Sequence, residues 1–97
     1  MWYISFVTYF HWDIDKNEKL IKERHISFEE VVLCIEEGHV IDIIQNPNVQ
    51  KYGHQMMFVV DVNHYVYLVP FVAEGEKVFL KTVIPSRKAT RKYLGGT

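Results

Sequence analysis

Lys77, Lys81, Arg87, Lys88, Arg91 and Lys92 fall between Lys77 and Thr97, and no Asp or Glu stands among them. Arg87 and Arg91 are four residues apart, as are Lys88 and Lys92. In a helix each pair shares a face, and the two faces adjoin. Arg87 and Lys88 would occupy the first turn, where the helix dipole already carries positive charge, at a cost of about 0.3–1 kcal/mol each. Cations set against a dipole make sense where an anion binds, because amide N–H groups and guanidinium then act together. On the preceding strand, Lys81 shares parity with Phe79, interrupts one sheet face and can project toward the same groove as Arg87. Alone, the cluster denotes anion binding rather than catalysis, and a solvated helix face gives the same pattern.

Other chemistries find little support. The five histidines, His11, His25, His39, His54 and His64, show no metal-ligand spacing, so neither a metal nor another cofactor is expected. His25 adjoins Lys22 and Arg24 and is the histidine best placed for acid–base work. A structural or solvent role is the plainer account of it. Cys34 is the only cysteine, which rules out an intrachain disulfide and suits a reducing compartment. It lies in an apolar helical run and reads as a small buried hydrophobe. Neither a glycine-rich phosphate loop nor a serine-centred nucleophile motif occurs. Tyr52, Tyr65, Tyr67 and Tyr93 are possible stacking surfaces for bases, although packing explains most of them. Tyr93 stands apart because it sits beside Arg91 and Lys92.

The elements that must position these residues are legible in outline. Met1 to Trp12 alternates with period two and predicts a strand, with Phe10 and Trp12 on one face and Tyr9 and His11 on the other. Asp13 or Asp15 caps a helix running to about Arg24, with a thin apolar face of Ile14, Leu20 and Ile21. Ser27 and Glu30 form a capping box for a second helix, with Phe28, Val31, Val32 and Ile35 as its buried stripe and Gly38 as its terminator. The two helices should pair antiparallel. Val40 to Ile44 reads as a strand, and residues 45–53 as a loop. Gln55 to Val62 and Tyr65 to Phe71 form a hairpin through Asn63-His64. Pro70 marks an edge or a bulge. Glu74-Gly75-Glu76 turns into a strand from Lys77 to Ile84. Pro85 stops it, Ser86 caps a last helix, and Gly95-Gly96 ends that helix. Residues 1–97 thus predict one α+β domain: two N-terminal helices packed on an antiparallel sheet, with a short C-terminal helix.

At 97 residues, 48% hydrophobic and 24% charged, the chain falls in the globular range. The net charge of −1 does not announce a nucleic-acid binder, yet the segregation of basic residues toward the C-terminus creates a local positive field. The apolar start lacks preceding basic residues and a cleavage site and is too short to span a bilayer, so a cytoplasmic location without membrane attachment is expected.

Two segments carry a family likeness. Phe10-His11-Trp12-Asp13, then Lys16, then Ile26-Ser27-Phe28-Glu29-Glu30-Val31, resembles the opening of BrnT-type toxins. Ser86-Arg87-Lys88-Ala89-Thr90 after a strand resembles their ending. The resemblance spans about Phe10 to Tyr93. It implies a RelE-like fold and metal-independent endoribonuclease activity that stops translation and growth. It also implies a ribbon-helix-helix, BrnA-like antitoxin as partner, through which alone DNA is contacted. On this sequence Lys81 and Arg87 would hold the phosphate, Lys88, Arg91 and Lys92 would track the RNA, and Lys22 and Arg24 would add RNA contacts from the first helix. His25, Glu76 and Tyr93 would be the acid or base candidates. Family members often carry an Asn within the first helix and a Lys-His pair at its end; here those places read Leu20 and Glu23-Arg24, with basic character kept by Lys22, Arg24 and His25. The alternatives are a non-catalytic RNA- or protein-binding module with the same surface, and a homodimer formed through exposed sheet edges.

Overall fold

In the computed structural model, residues 8–53 and 55–95 are described. The element order is β1 (Tyr9–His11), α1 (Ile14–Arg24), α2 (Phe28–Glu36), β2 (Val40–Gln45), α3 (Val49–Tyr52), β3 (Met56–Val62), β4 (Tyr65–Glu74), β5 (Lys77–Leu80), β6 (Ile84–Pro85) and α4 (Arg87–Tyr93). The α+β class is as the sequence predicts. Of the first predicted strand, Tyr9–His11 is extended, and residues 1–7 lie outside the described residues, as do His54 and Gly96. The stretch read as a loop holds the single turn α3.

The sheet is mixed rather than antiparallel. Its strands run β1-β5-β4-β3-β2, with β6 beside β4. β1 lies parallel to β5, pairing Tyr9 with Lys77 and His11 with Phe79. The correction has a plain origin. Hairpins announce antiparallel neighbours locally, whereas a parallel pair needs a long crossover whose landing place no local signal marks. Here that crossover contains three helices and three strands.

Capping fixes both N-terminal helices. Asp13, not Asp15, is the N-cap of α1: its side chain accepts from the Lys16 amide. Asp15 lies in the first turn, where a carboxylate suits the dipole. Ser27 caps α2 by accepting from the Glu30 N–H at 3.0 Å. Asn17, 7% exposed, joins the helices: its Oδ1 accepts from the Phe28 N–H at 2.8 Å and its amide donates to the Glu29 carboxylate at 2.7 Å. One of the free donors at the start of α2 is thus satisfied from α1. The inner face of α1 is Asn17 with Leu20, while Ile14 and Ile21 are exposed. The thin apolar face expected there reduces to Leu20.

Two apolar layers flank the sheet. On one face Leu20, Phe28, Val31 and Ile35 pack on Phe58, Val60, Val69, Phe71, Val78 and Leu80. Trp12 stacks on Phe28 and Phe58 on Phe71, with centroids 5.6 and 4.0 Å apart. On the other face Ala89, Tyr93 and Leu94 pack on Val59, Val66, Leu68, Ile41 and Ile44. Helices α1 and α2 therefore cover one side and α4 the other. No helix among the described residues is long and apolar enough to cross a membrane.

Candidate nucleic-acid interface

Helix α4 has seven residues, too few to hold a helix in water unaided. Its neighbours fix it. Ser86 Oγ accepts from the Ala89 N–H at 3.0 Å, and the Ser86 N–H donates to the Val66 carbonyl at 3.0 Å. Thr90 Oγ1 accepts from the Val66 N–H at 2.9 Å and donates to the Ser86 carbonyl at 2.8 Å. At the far end, the Tyr93 hydroxyl donates to Asp42 Oδ2 at 3.1 Å. With Ala89 turned to the sheet, Arg87, Lys88, Arg91 and Lys92 are all exposed. The ammonium of Lys92 lies 5.1 Å from the centre of the Tyr93 ring.

Lys81 occupies a break in the sheet. Residues 81–83 follow β5 and precede β6, so the chain along this side of β4 pairs, lapses and pairs again. Pro70 accounts for the lapse. Its carbonyl accepts from the Lys81 N–H at 2.8 Å, and in an antiparallel ladder a residue's N–H and C=O point to the same side. The donor that proline lacks therefore faces the break and not β3, which Pro70 meets in register at Met57. Pro70 thus sits on an inner strand, at a pairing gap, rather than on a sheet edge.

Side-chain parity places the Lys81 ammonium. Val78 and Leu80 are buried on the α1/α2 side, so Phe79 projects from the α4 side. Lys81 Nζ lies 5.6 Å from the centre of the Phe79 ring. Lys81 and α4 consequently share one face of the sheet. Their backbone anchors, Pro70 and Val66, are about 13 Å apart along β4 at ~3.3 Å per residue. The cations line a stretch of that face rather than a single point.

The remaining candidates lie elsewhere. Arg24 donates to the Val83 carbonyl at 2.8 Å, tethering the end of α1 to the break. Lys22 lies on the outer surface of α1 with Asp15, Glu18 and Glu23, so its charge is interleaved with carboxylates. His25 is the left-handed C-cap of α1, with φ of 57°, and its N–H donates to the Ile21 carbonyl at 3.2 Å. These three belong to the layer opposite α4. Glu76 lies in the β4–β5 turn, where its carbonyl accepts from the Tyr9 N–H at 2.8 Å. From Val66 to the start of that turn at Glu74, β4 climbs roughly 26 Å, so Glu76 is remote from α4.

Tyr93 is near the cations but committed. Burial of the ring, reinforced by the hydrogen bond and negative charge of Asp42, pushes its phenol above the ordinary tyrosine value. A proton held in this way is poorly suited to a base. Burial, with Glu30, Glu37 and Asp61 nearby, raises the Cys34 thiol, which makes it a weak nucleophile. Tyr65 and Tyr67 share a face and meet edge-on, with centroids 5.6 Å apart. His64 has φ of 67° and Asn63 of 54°, the left-handed pair that a two-residue hairpin requires. Among the described residues, no three His, Cys, Asp or Glu side chains form a group able to hold a metal ion.

Sequence reasoning missed Asp42 and Thr90 as anchors of α4, and His11, Lys77 and Val72 as neighbours of Phe79. The alternation of β5 flagged Phe79 beside Lys81; register alone supplies the others. Comparison with known proteins finds no family model and no curated protein that matches this chain.

Proposed function

We propose that the chain binds RNA along the face shared by Lys81 and α4 and cleaves it as a metal-independent endoribonuclease. On this reading it is a BrnT-type, RelE-like toxin that inhibits translation and growth in the cytoplasm. A ribbon-helix-helix antitoxin would neutralise it and make its only contact with DNA. The observation that carries the proposal is the placement of Lys81 on the same sheet face as the four exposed cations of α4. In the cleavage step, the ribose 2′-oxygen attacks the adjacent phosphorus and loses its proton to solvent. The P–O5′ bond breaks, and the departing oxygen takes a proton from solvent. Arg87 stabilises the charge that builds on the non-bridging oxygens, the part of catalysis that fixed donors supply best, while Lys81 holds a phosphate further along the strand. Lys88, Arg91 and Lys92 follow the backbone. Without a positioned acid or base the reaction forgoes about 10²–10⁴-fold, so the enzyme is slow.

The second reading is a non-catalytic RNA-binding module, favoured by the disposition of the acid–base candidates. Tyr93 is bound to Asp42, His25 caps α1 on the other layer, and Glu76 lies at the hairpin tip. Expression of the chain alone, with primer-extension mapping of transcripts, separates the two. The toxin reading expects growth arrest and new transcript ends, both relieved by Arg87→Ala. A folded, abundant wild-type chain that binds RNA but leaves growth and transcripts untouched supports the binding module and refutes cleavage.

A further inference from the structure

Helix α4 covers only part of its face of the sheet. Phe10, Phe71 and Val78 pack on the opposite side, so their strand neighbours Tyr9, His11, Val72 and Phe79 project from the α4 side. Phe79 meets His11 on β1 and Val72 on β4; Lys77 meets Tyr9 and Glu74. Tyr9 is 55% exposed, Val72 50% and Phe79 38%. His11, Val72, Glu74, Lys77 and Phe79 line a shallow depression of about 310 Å³. Large apolar side chains scattered singly on a surface need no explanation, whereas adjoining ones mark a contact site.

The charges around the patch say what it contacts. Lys81 lies over the edge of the patch, 5.6 Å from the Phe79 ring centre, and Lys77 stands two residues before Phe79 on the same face. Glu74 is the carboxylate in the depression, and Lys77 faces it across the strands. Aromatic rings flanked by lysines on an open sheet suit unpaired bases, whose rings stack while their phosphates meet the cations.

We propose that this open face is a stacking platform for single-stranded RNA, with one base on Phe79, a second on Tyr9, and the flanking phosphates held by Lys77 at the Tyr9 end and Lys81 at the Phe79 end. The platform extends the RNA reading above and rests on it. It continues the line of cations from α4 past the break in the sheet, and it confines the substrate to unpaired RNA.

Fluorescence anisotropy with two labelled oligomers of about ten nucleotides, within the span such platforms cover, tests the proposal. One carries bases; the other is abasic, with equal charge. Wild-type protein is expected to bind the base-bearing oligomer about tenfold more tightly, Phe79→Ala to cut that preference to about threefold, and Phe79→Ala with Tyr9→Ala to erase it, abasic binding being unchanged in both. Phe79→Trp should keep the preference, and its added indole emission should be quenched on binding, which guards against a misfolded alanine variant. Equal wild-type affinity for the two oligomers overturns the platform and leaves the basic face standing. Binding of neither overturns both. Undiminished preference in Phe79→Ala also overturns the platform. If that variant instead abolishes self-association of the wild type, the patch belongs to a second copy of the chain.

Discussion

Tyr93 illustrates how one side chain is read differently once its partner is known. In sequence it stands beside Arg91 and Lys92 and invites an acid–base role. In the fold its hydroxyl is a donor to Asp42, joining α4 to β2. Tyr93→Phe is expected to keep RNA affinity within about twofold and to cost about 1 kcal/mol, the scale of a half-exposed hydrogen bond. Denaturant unfolding and anisotropy check the two together. The raised phenol pKa also fixes the sign of a pH effect. The folded state holds this proton more firmly than the unfolded chain, so its contribution is complete below the unfolded value near ~10. That contribution is lost as pH rises through the higher folded value. Loss of wild-type stability in that alkaline window, blunted in Tyr93→Phe, is the expected result.

At the scale of elements, α4 depends on others for its existence. Thr90 Oγ1 bonds both the Val66 N–H and the Ser86 carbonyl, nailing the helix to β4. Thr90→Val keeps the shape and removes both bonds, leaving the Val66 donor without its partner. The expected cost is about 1–3 kcal/mol. Because α4 is too short to persist when loosened, its amides should also exchange faster with solvent than those of β3 or β4. Hydrogen exchange resolved by segment would show this, and uniform acceleration across the sheet would contradict it. Helix α2 contrasts with α4: Ser27 and Asn17 each satisfy one of its N-terminal donors, and three of its side chains are buried in the main core.

For the whole molecule the decisive quantity is the arrangement of charge, not its sum. A net charge of −1 hides five exposed cations along α4 and the break beside it, Lys81, Arg87, Lys88, Arg91 and Lys92, with Lys77 a sixth on the same face. If all five meet phosphates, the slope of log affinity against log salt should be about −3.5, the value for single-stranded RNA at five contacts. Affinity would then fall about a hundredfold between 50 and 200 mM salt. A flat salt response would exclude this face as the contact surface.

Much of this was local enough to be written in the sequence. Ser27, Ser86 and Gly38 set helix ends through bonds and backbone angles within a few residues. Asn63-His64 and Gly75 turned hairpins for the same reason, and alternation assigned Phe10 and Phe79 to their faces. The tertiary structure alone decided which strands became neighbours. The parallel return of β5 to β1 brings His11 beside Phe79 across more than half the chain, and Asp42 reaches Tyr93 across the sheet. It also put α4 and α1 on opposite faces, which separates Arg87 from Lys22 and His25. Such placements follow from how two apolar layers are shared over one sheet, a property of the packed whole that no short stretch of residues encodes.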